Sequence, residues 1–271
     1  MPPGRSLRSR AVTLSSDIGW AYAAQMKAVL YRSLPPGRVI DLAHDLPAHA
    51  PREAGLWLAA MAERFPAGTI HVAIVDPGVG TDRAAIVIVA RDGSVLIGPD
   101  NGLLVPLARR LGIGKVWAID ERRLDAGPRR GTTFDGRDLF APAAVAVWEG
   151  RPFQEWARPG RLTESAVPAP VRTPGRWVGV VLLVDRFGNL ITNLPSEWIP
   201  AGPLRLRLGR GPARTVRRVN GYAEIRGSAL GCLPSSFGTI EISAREQSAA
   251  GRTGARSGTR VELASPARVR A

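Results

Sequence analysis

The sequence predicts an α/β domain with a largely parallel sheet, followed by a smaller all-β domain. Three observations carry this. Short apolar runs alternate with helical patterns over about the first 150 residues. A proline-rich stretch then crosses 151–175. After it, helical periodicity nearly vanishes and short strands are split by Gly, Pro and Asn, as in a small barrel or sandwich. The expected boundaries are 1–165 for the N-terminal α/β domain and 176–271 for the C-terminal β domain, with 151–175 as linker region.

Taken in order, Ala11 to Ser15 reads as a strand ending in a polar loop, and Trp20 to Arg32 as a helix with Ala23, Met26 and Leu30 near helical spacing. Arg38 to Leu42 is the next strand. Pro51 to Arg64 is a helix with proline in its first turn, where the missing N–H costs nothing. Thr69 to Val75 is apolar apart from His71, the pattern of a strand buried on both faces. Ala84 to Ala90 and Ser94 to Ile97 form a hairpin around Arg91-Asp-Gly93. Leu103 to Leu111 is helical, Lys115 to Ile119 a strand, and Leu139 to Trp148 a helix that Asp138 can cap. The later strands are Trp177–Val184, Leu190–Asn193, Leu204–Leu208, Val216–Val219, Thr239–Ile242 and Arg260–Leu263.

Composition narrows the function. Hydrophobic residues make up 45% and charged residues 22%, an ordinary globular balance. No apolar run approaches the roughly 20 residues of a membrane span, and the basic start is followed by no apolar signal core. The single cysteine, Cys232, excludes an intrachain disulfide and a cysteine-based zinc site. A cytoplasmic, metal-free protein with no membrane partner is expected. The net charge is +14, yet 35 of the 37 basic residues are arginine, the mark of GC-rich coding. They are scattered apart from pairs such as Arg129-Arg130, so a nucleic-acid partner is not expected.

Acidic residues fall where strands end. Asp17 follows the first strand and Asp76 the third, and ligands of open α/β sheets bind outside the carboxyl ends of strands. Aspartate also caps helices and shapes turns, and at Asp17 that alternative stays open. Val75-Asp-Pro-Gly-Val-Gly80 is a rigid turn, and Arg83 stands seven residues after Asp76 across it. The pair is either a structural ion pair or a polar handle for a nucleophile. The turn lacks a P-loop lysine and the dinucleotide-binding spacing. Asp185-Arg-Phe-Gly-Asn189 offers an acid, an aromatic face and an amide, which suits a purine together with an ammonium group.

With these motifs in view, the sequence resembles the S-adenosylmethionine hydrolases (hydroxide adenosyltransferases), relatives of the fluorinase and chlorinase. The resemblance runs from Thr13 to about Val261 through Ser16-Asp-Ile-Gly19, Asp41-Leu-Ala-His44, Val75-Asp-Pro-Gly-Val-Gly80 with Arg83, Gly98-Pro-Asp-Asn-Gly102, Thr133-Phe-Asp-Gly-Arg-Asp138, Asp185 to Asn193, and Ser235-Ser-Phe-Gly-Thr-Ile-Glu241. It implies hydrolysis of S-adenosylmethionine to adenosine and methionine without a cofactor. It also implies a homotrimer with active sites between the N-terminal domain of one subunit and the C-terminal domain of the next.

Carried over, Asp17 binds the ribose hydroxyls, Asp185 holds the methionine ammonium, and Phe187 and Asn189 take the adenine end. Ser236 takes the methionine carboxylate beside Phe237, and the backbone at Ser248-Ala249 faces the adenine edge. The Asp-Arg-His trio of the hydrolases falls on Asp76, Arg83 and Asp135, so an aspartate stands in the histidine's place. Phe237 stands where the fluorinase has arginine. The short hairpin loop lacks the fluorinase insertion, which argues for water over halide. Halide transfer on the same scaffold and a non-catalytic S-adenosylmethionine or adenosine sensor are the alternatives.

Overall fold

The strand order of the N-terminal sheet is set by which apolar runs must be buried twice. The computed structural model describes residues 11–35, 37–124, 126–127, 131–163 and 167–266. The basic start and the Arg129-Arg130 pair lie outside the described residues. The chain divides into two compact units, Met1–Ser165 and Ala166–Ala271.

In the first unit, β1 (Val12–Ser16), β2 (Val39–Ala43), β3 (Ile70–Ile74), β4 (Ala85–Ala90), β5 (Val95–Pro99), β6 (Ile113–Ile119) and β7 (Ala157–Pro159) form one sheet of order β2-β1-β3-β5-β4-β6-β7. The β2-β1-β3-β5 half is parallel, and β4, β6 and β7 extend it antiparallel. Helices α1 (Gly19–Leu30), α2 (Pro51–Ala62), α3 (Val105–Leu111), α4 (Glu121–Leu124), α5 (Ala141–Trp148) and α6 (Phe153–Trp156) complete it. Alternate strand residues serve two cores, as strand pleating requires. Ile70, Val72 and Ile74 of β3 pack with Met26 and Leu30 of α1 and with α5. Ala73 and Val75 pack with Leu58 of α2 and Leu107 of α3. The continuous apolar character of β3 follows from this double burial.

In the second unit, β9 (Arg176–Val184), β10 (Leu190–Pro195), β11 (Gly202–Leu208), β12 (Arg214–Arg218), β13 (Leu230–Pro234), β14 (Thr239–Ala244) and β15 (Arg260–Ala264) run in the order β10-β14-β13-β12-β11-β15-β9. The β10–β9 pairing closes them into a seven-stranded barrel, with β8 (Val171–Thr173) appended on β9. Val181, Leu204, Leu206, Ile240, Ile242 and Leu263 fill it. Short α7 (Ala249–Thr253) follows β14.

Three details differ from the sequence expectation. The proline-rich span 151–175 carries α6, β7 and β8. β13 is a strand that Gly231 and Pro234 hid, since both read as breaks. Asp138 does not cap the helix over 139–148. A single π-helical turn over Gly136–Phe140 begins after Asp135 and runs into α5, and Arg137 grips Asp138 at 2.6 and 2.8 Å within it.

Candidate active site

At the carboxyl end of β3 the chain turns through Asp76 to Gly80, and Val79 N–H closes the turn on the Asp76 carbonyl at 3.3 Å. Gly80 has φ of +80° with the Thr132 carbonyl close by, a conformation that favours glycine. Arg83 folds back across the turn. Its Nε lies 3.0 and 2.9 Å from the two Asp76 carboxylate oxygens, and Nη2 donates to the same carboxylate. Nη2 also donates to Asp135 Oδ2, at the entry to the π turn. The guanidinium lies over the Phe140 ring, 5.3 Å from its centroid.

These side chains keep only 6% (Asp76), 12% (Arg83) and 8% (Asp135) of their exposure. Burial works against the Arg83 charge, but the bonds and charges of Asp76 and Asp135 outweigh it and raise its pKa. The cluster therefore holds a permanent cation between two carboxyl groups. A cavity of about 390 Å³ opens beside it, lined by Thr81, Arg83, Glu121, Thr132, Asp135 and Arg158. The structure thus brings Asp76, Arg83 and Asp135 together.

Asp17 lies at the adjacent strand end, where its N–H donates to the Ile74 carbonyl at 3.2 Å. The parallel β1–β3 register makes this neighbourhood. Asn101 is a supporting residue that sequence reasoning treated only as part of a turn. Its Nδ2 donates to the Val75 carbonyl at 2.9 Å and its Oδ1 accepts from Leu103 N–H, which pins the backbone just before Asp76. Among the described residues, no group of three or more His, Cys, Asp or Glu is placed to hold a metal ion.

The second unit gathers another set. Asp185 Oδ1 accepts the N–H groups of Phe187 and Asn189 at 2.9 and 2.8 Å, and Asn189 Nδ2 donates to Oδ2 at 2.9 Å. Asp185 thereby shapes the turn that presents Phe187, which is 72% exposed. Gly188 is obligatory there: a Cβ would stand 2.0 Å from Ser248 Oγ. Ser248 caps α7 by accepting from Gly251 N–H at 2.8 Å. Ala249 is buried, and Ala250 N–H reaches back to the Gly188 carbonyl.

Phe187, Asn189, Tyr222, Ala244, Gln247 and Ser248 line a cavity of about 520 Å³. Ser236 and Phe237 do not line it; they sit on the β13–β14 turn, Ser236 exposed and Phe237 half-buried. Tyr222 was not singled out in the sequence. Its hydroxyl donates to Glu241 at 2.6 Å, and Ser243 donates to the same oxygen at 2.8 Å. Burial, then Glu241, pushes the Tyr222 phenol pKa well up.

Two family descriptions match the chain: the SAM hydroxide adenosyltransferase N-terminal domain over residues 12–157, and the C-terminal domain over residues 179–262. A Salinispora arenicola protein named (R)-S-adenosyl-L-methionine hydrolase is 37% identical over 76% of this chain and 80% of its own length. A Thermus thermophilus protein of the same name is 35% identical over 94% and 99%. The crystal structure of an uncharacterized conserved protein from Thermotoga maritima superposes with a TM-score of 0.85 at 28% identity, covering 94% of this chain and all of that one.

Proposed function

The chain belongs to the SAM hydroxide adenosyltransferase family, and we propose that it hydrolyses S-adenosyl-L-methionine to adenosine and L-methionine by in-line attack of water on ribose C5′. The observation that carries this reading is the buried Asp76–Arg83–Asp135 cluster at the carboxyl end of β3, in a chain whose relatives are named hydrolases of this substrate.

The reaction asks little of the protein. The sulfonium is already a good leaving group, so neither a general acid nor a cofactor is required. What remains is to place a water behind C5′ and strip it of competing solvent. Asp76 orients that water and takes its proton; a carboxylate offers roughly four acceptor positions, so Arg83 does not exhaust it. Arg83 stabilises developing hydroxide character, and its held charge suits that task. Asp135 bonds Arg83 and positions it and the water. The C5′–O bond forms as the C5′–S bond breaks; methionine leaves with the electron pair on sulfur.

Substrate contacts follow the resemblance. Asp17 takes the ribose hydroxyls. Asp185 takes the ammonium with acceptor capacity left over from its turn. Phe187 stacks on adenine, and Asn189, Ser248 and Ala249 border its edge. Ser236 and Phe237 meet the methionine carboxylate. The working assembly is a homotrimer in the cytoplasm, which sedimentation at three times the 28.9 kDa chain mass would support. Among the described residues, no helix is long and apolar enough to cross a membrane.

Two carboxyl groups around one arginine repel a halide, which favours water over halide transfer. A second reading, a non-catalytic sensor, draws on the aspartate at 135. One experiment separates all three: purified protein is incubated with S-adenosylmethionine, with and without chloride, and the products are separated. Adenosine and methionine support hydrolysis, chlorinated adenosine supports halide transfer, and binding without turnover supports the sensor.

A further inference from the structure

A second, partly buried polar chain, which the proposed chemistry does not use, runs from the carboxyl end of β1 across β2 to α1. Ser16 Oγ lies 2.8 Å from His44 Nδ1, and His44 Nε2 lies 2.9 Å from Asp41 Oδ1. Lys27 Nζ donates to Asp41 Oδ2 at 2.8 Å from α1. Ser16 and His44 are buried. Partial burial works to raise the Asp41 pKa, but Lys27 and His44 outweigh it and hold the carboxyl below its usual range. In the tautomer that places a proton on Nε2, His44 donates to the Asp41 carboxylate and its Nδ1 accepts the Ser16 hydroxyl. The order Ser-His-Asp is that of a hydrolytic triad, yet Ser16 is only 1% exposed and no substrate reaches it.

His44 instead closes on one short segment from both ends. Its ring engages Ser16, and its backbone carbonyl accepts Gly19 N–H at 2.9 Å. Only Asp17 and Ile18 lie between those points. Leu46 N–H adds a bond to the Ser16 carbonyl at 3.0 Å, and Trp20 meets the His44 ring edge-on at 4.8 Å. The Asp17 carboxylate itself, among the described residues, has one long bond, from His49 N–H at 3.4 Å. So the Asp17 backbone is clamped while its carboxylate keeps most of its acceptor capacity.

Lys27 adds an independent sign. The chain has 35 arginines and two lysines, so its composition favours arginine wherever either cation serves. Position 27 carries one of the two lysines. A compact ammonium reaches Asp41 as a point charge, where a planar guanidinium needs width and a different fork geometry.

Resting on the reading that Asp17 takes the ribose hydroxyls, we propose that Ser16, His44, Asp41 and Lys27 form a positioning relay that presets Asp17 for the ribose diol. These are positioning residues, since none touches the substrate.

The test is calorimetric titration of adenosine and of its 2′,3′-dideoxy analogue, which lacks the diol. Wild type, Ser16→Ala, Lys27→Arg and, as control, Asp17→Ala are compared, with thermal unfolding of each. Wild type should prefer adenosine by about tenfold or more, the worth of hydrogen bonds to a charged group. Ser16→Ala and Lys27→Arg should cut that preference to roughly threefold or less while affinity for the dideoxy analogue stays put, because a misplaced carboxylate loses only the diol. Full preference in both variants overturns the relay, and so does equal weakening of both ligands, which marks a merely structural role. If wild type shows no preference, or Asp17→Ala keeps it, the ribose assignment itself fails and the relay falls with it.

Discussion

Arg83 grips Asp76 as a fork, with Nε at 3.0 and 2.9 Å from the two carboxylate oxygens and Nη2 on the second. In the proposed reaction this fork aims the Asp76 carboxylate before substrate arrives. Asp76→Asn keeps the shape and removes the proton acceptor. Turnover should fall at least about a hundredfold, the low end of general-base catalysis, with S-adenosylmethionine affinity within about threefold of wild type. A near-wild-type rate would remove Asp76 as the base. Arg83→Lys should also cost about a hundredfold, because an ammonium cannot bridge both carboxylates in the fork geometry.

Asp135→His asks whether the aspartate has a role of its own. In the structure Asp135 shares the Arg83 guanidinium with Asp76. A histidine there loses an anionic partner of Arg83, so the rate should drop, by about tenfold. A rise in rate would show Asp135 to be a relic of a better site.

Phe187 is an apolar ring left 72% exposed at the tip of a turn that Asp185 and Gly188 hold rigid. Phe187→Ala should weaken S-adenosylmethionine and adenosine binding by about tenfold, the upper range of an aromatic stack. Its unfolding temperature should scarcely move, since exposed positions contribute within about 0.5 kcal/mol. A large fall in stability with unchanged affinity would make it a packing residue.

His71 couples stability to pH. Burial on β3 lowers its pKa to about 4, against a smaller opposing pull from Asp92. Its Nδ1 pairs with Thr13 Oγ1 at 2.8 Å. The unfolded chain then binds a proton below its ordinary pKa of about 6.5 that the native state refuses. This contribution to stability is full above that pH and declines as pH falls toward 4, by about 3 kcal/mol at most. Urea unfolding of His71→Gln across this window should show a flatter pH slope than wild type; an equal slope would place the effect elsewhere.

Much of this was legible from sequence because the signals are local. Thr69 to Val75 reads as a doubly buried strand, and the Arg91-Asp-Gly93 hairpin joins β4 to β5 as its residues demand. The Asp76–Arg83 pair was open to reading because one rigid turn separates them. The bond from Arg83 to Asp135 spans 52 residues, and no spacing rule reaches that far. Only the family resemblance placed Asp135 there. Tyr222 stayed hidden for a related reason: its partner Glu241 lies on β14 and meets it only once the barrel has closed. β13 was missed because Gly231 looks like a breaker, although a Cβ there would stand 2.7 Å from Ile225.

The most direct test of the account is to run the reaction in heavy-oxygen water and weigh both products. Attack of water on ribose C5′ puts one labelled oxygen in adenosine and none in methionine. Unlabelled adenosine, label in methionine, or no product above the uncatalysed rate from protein that binds S-adenosylmethionine would contradict it.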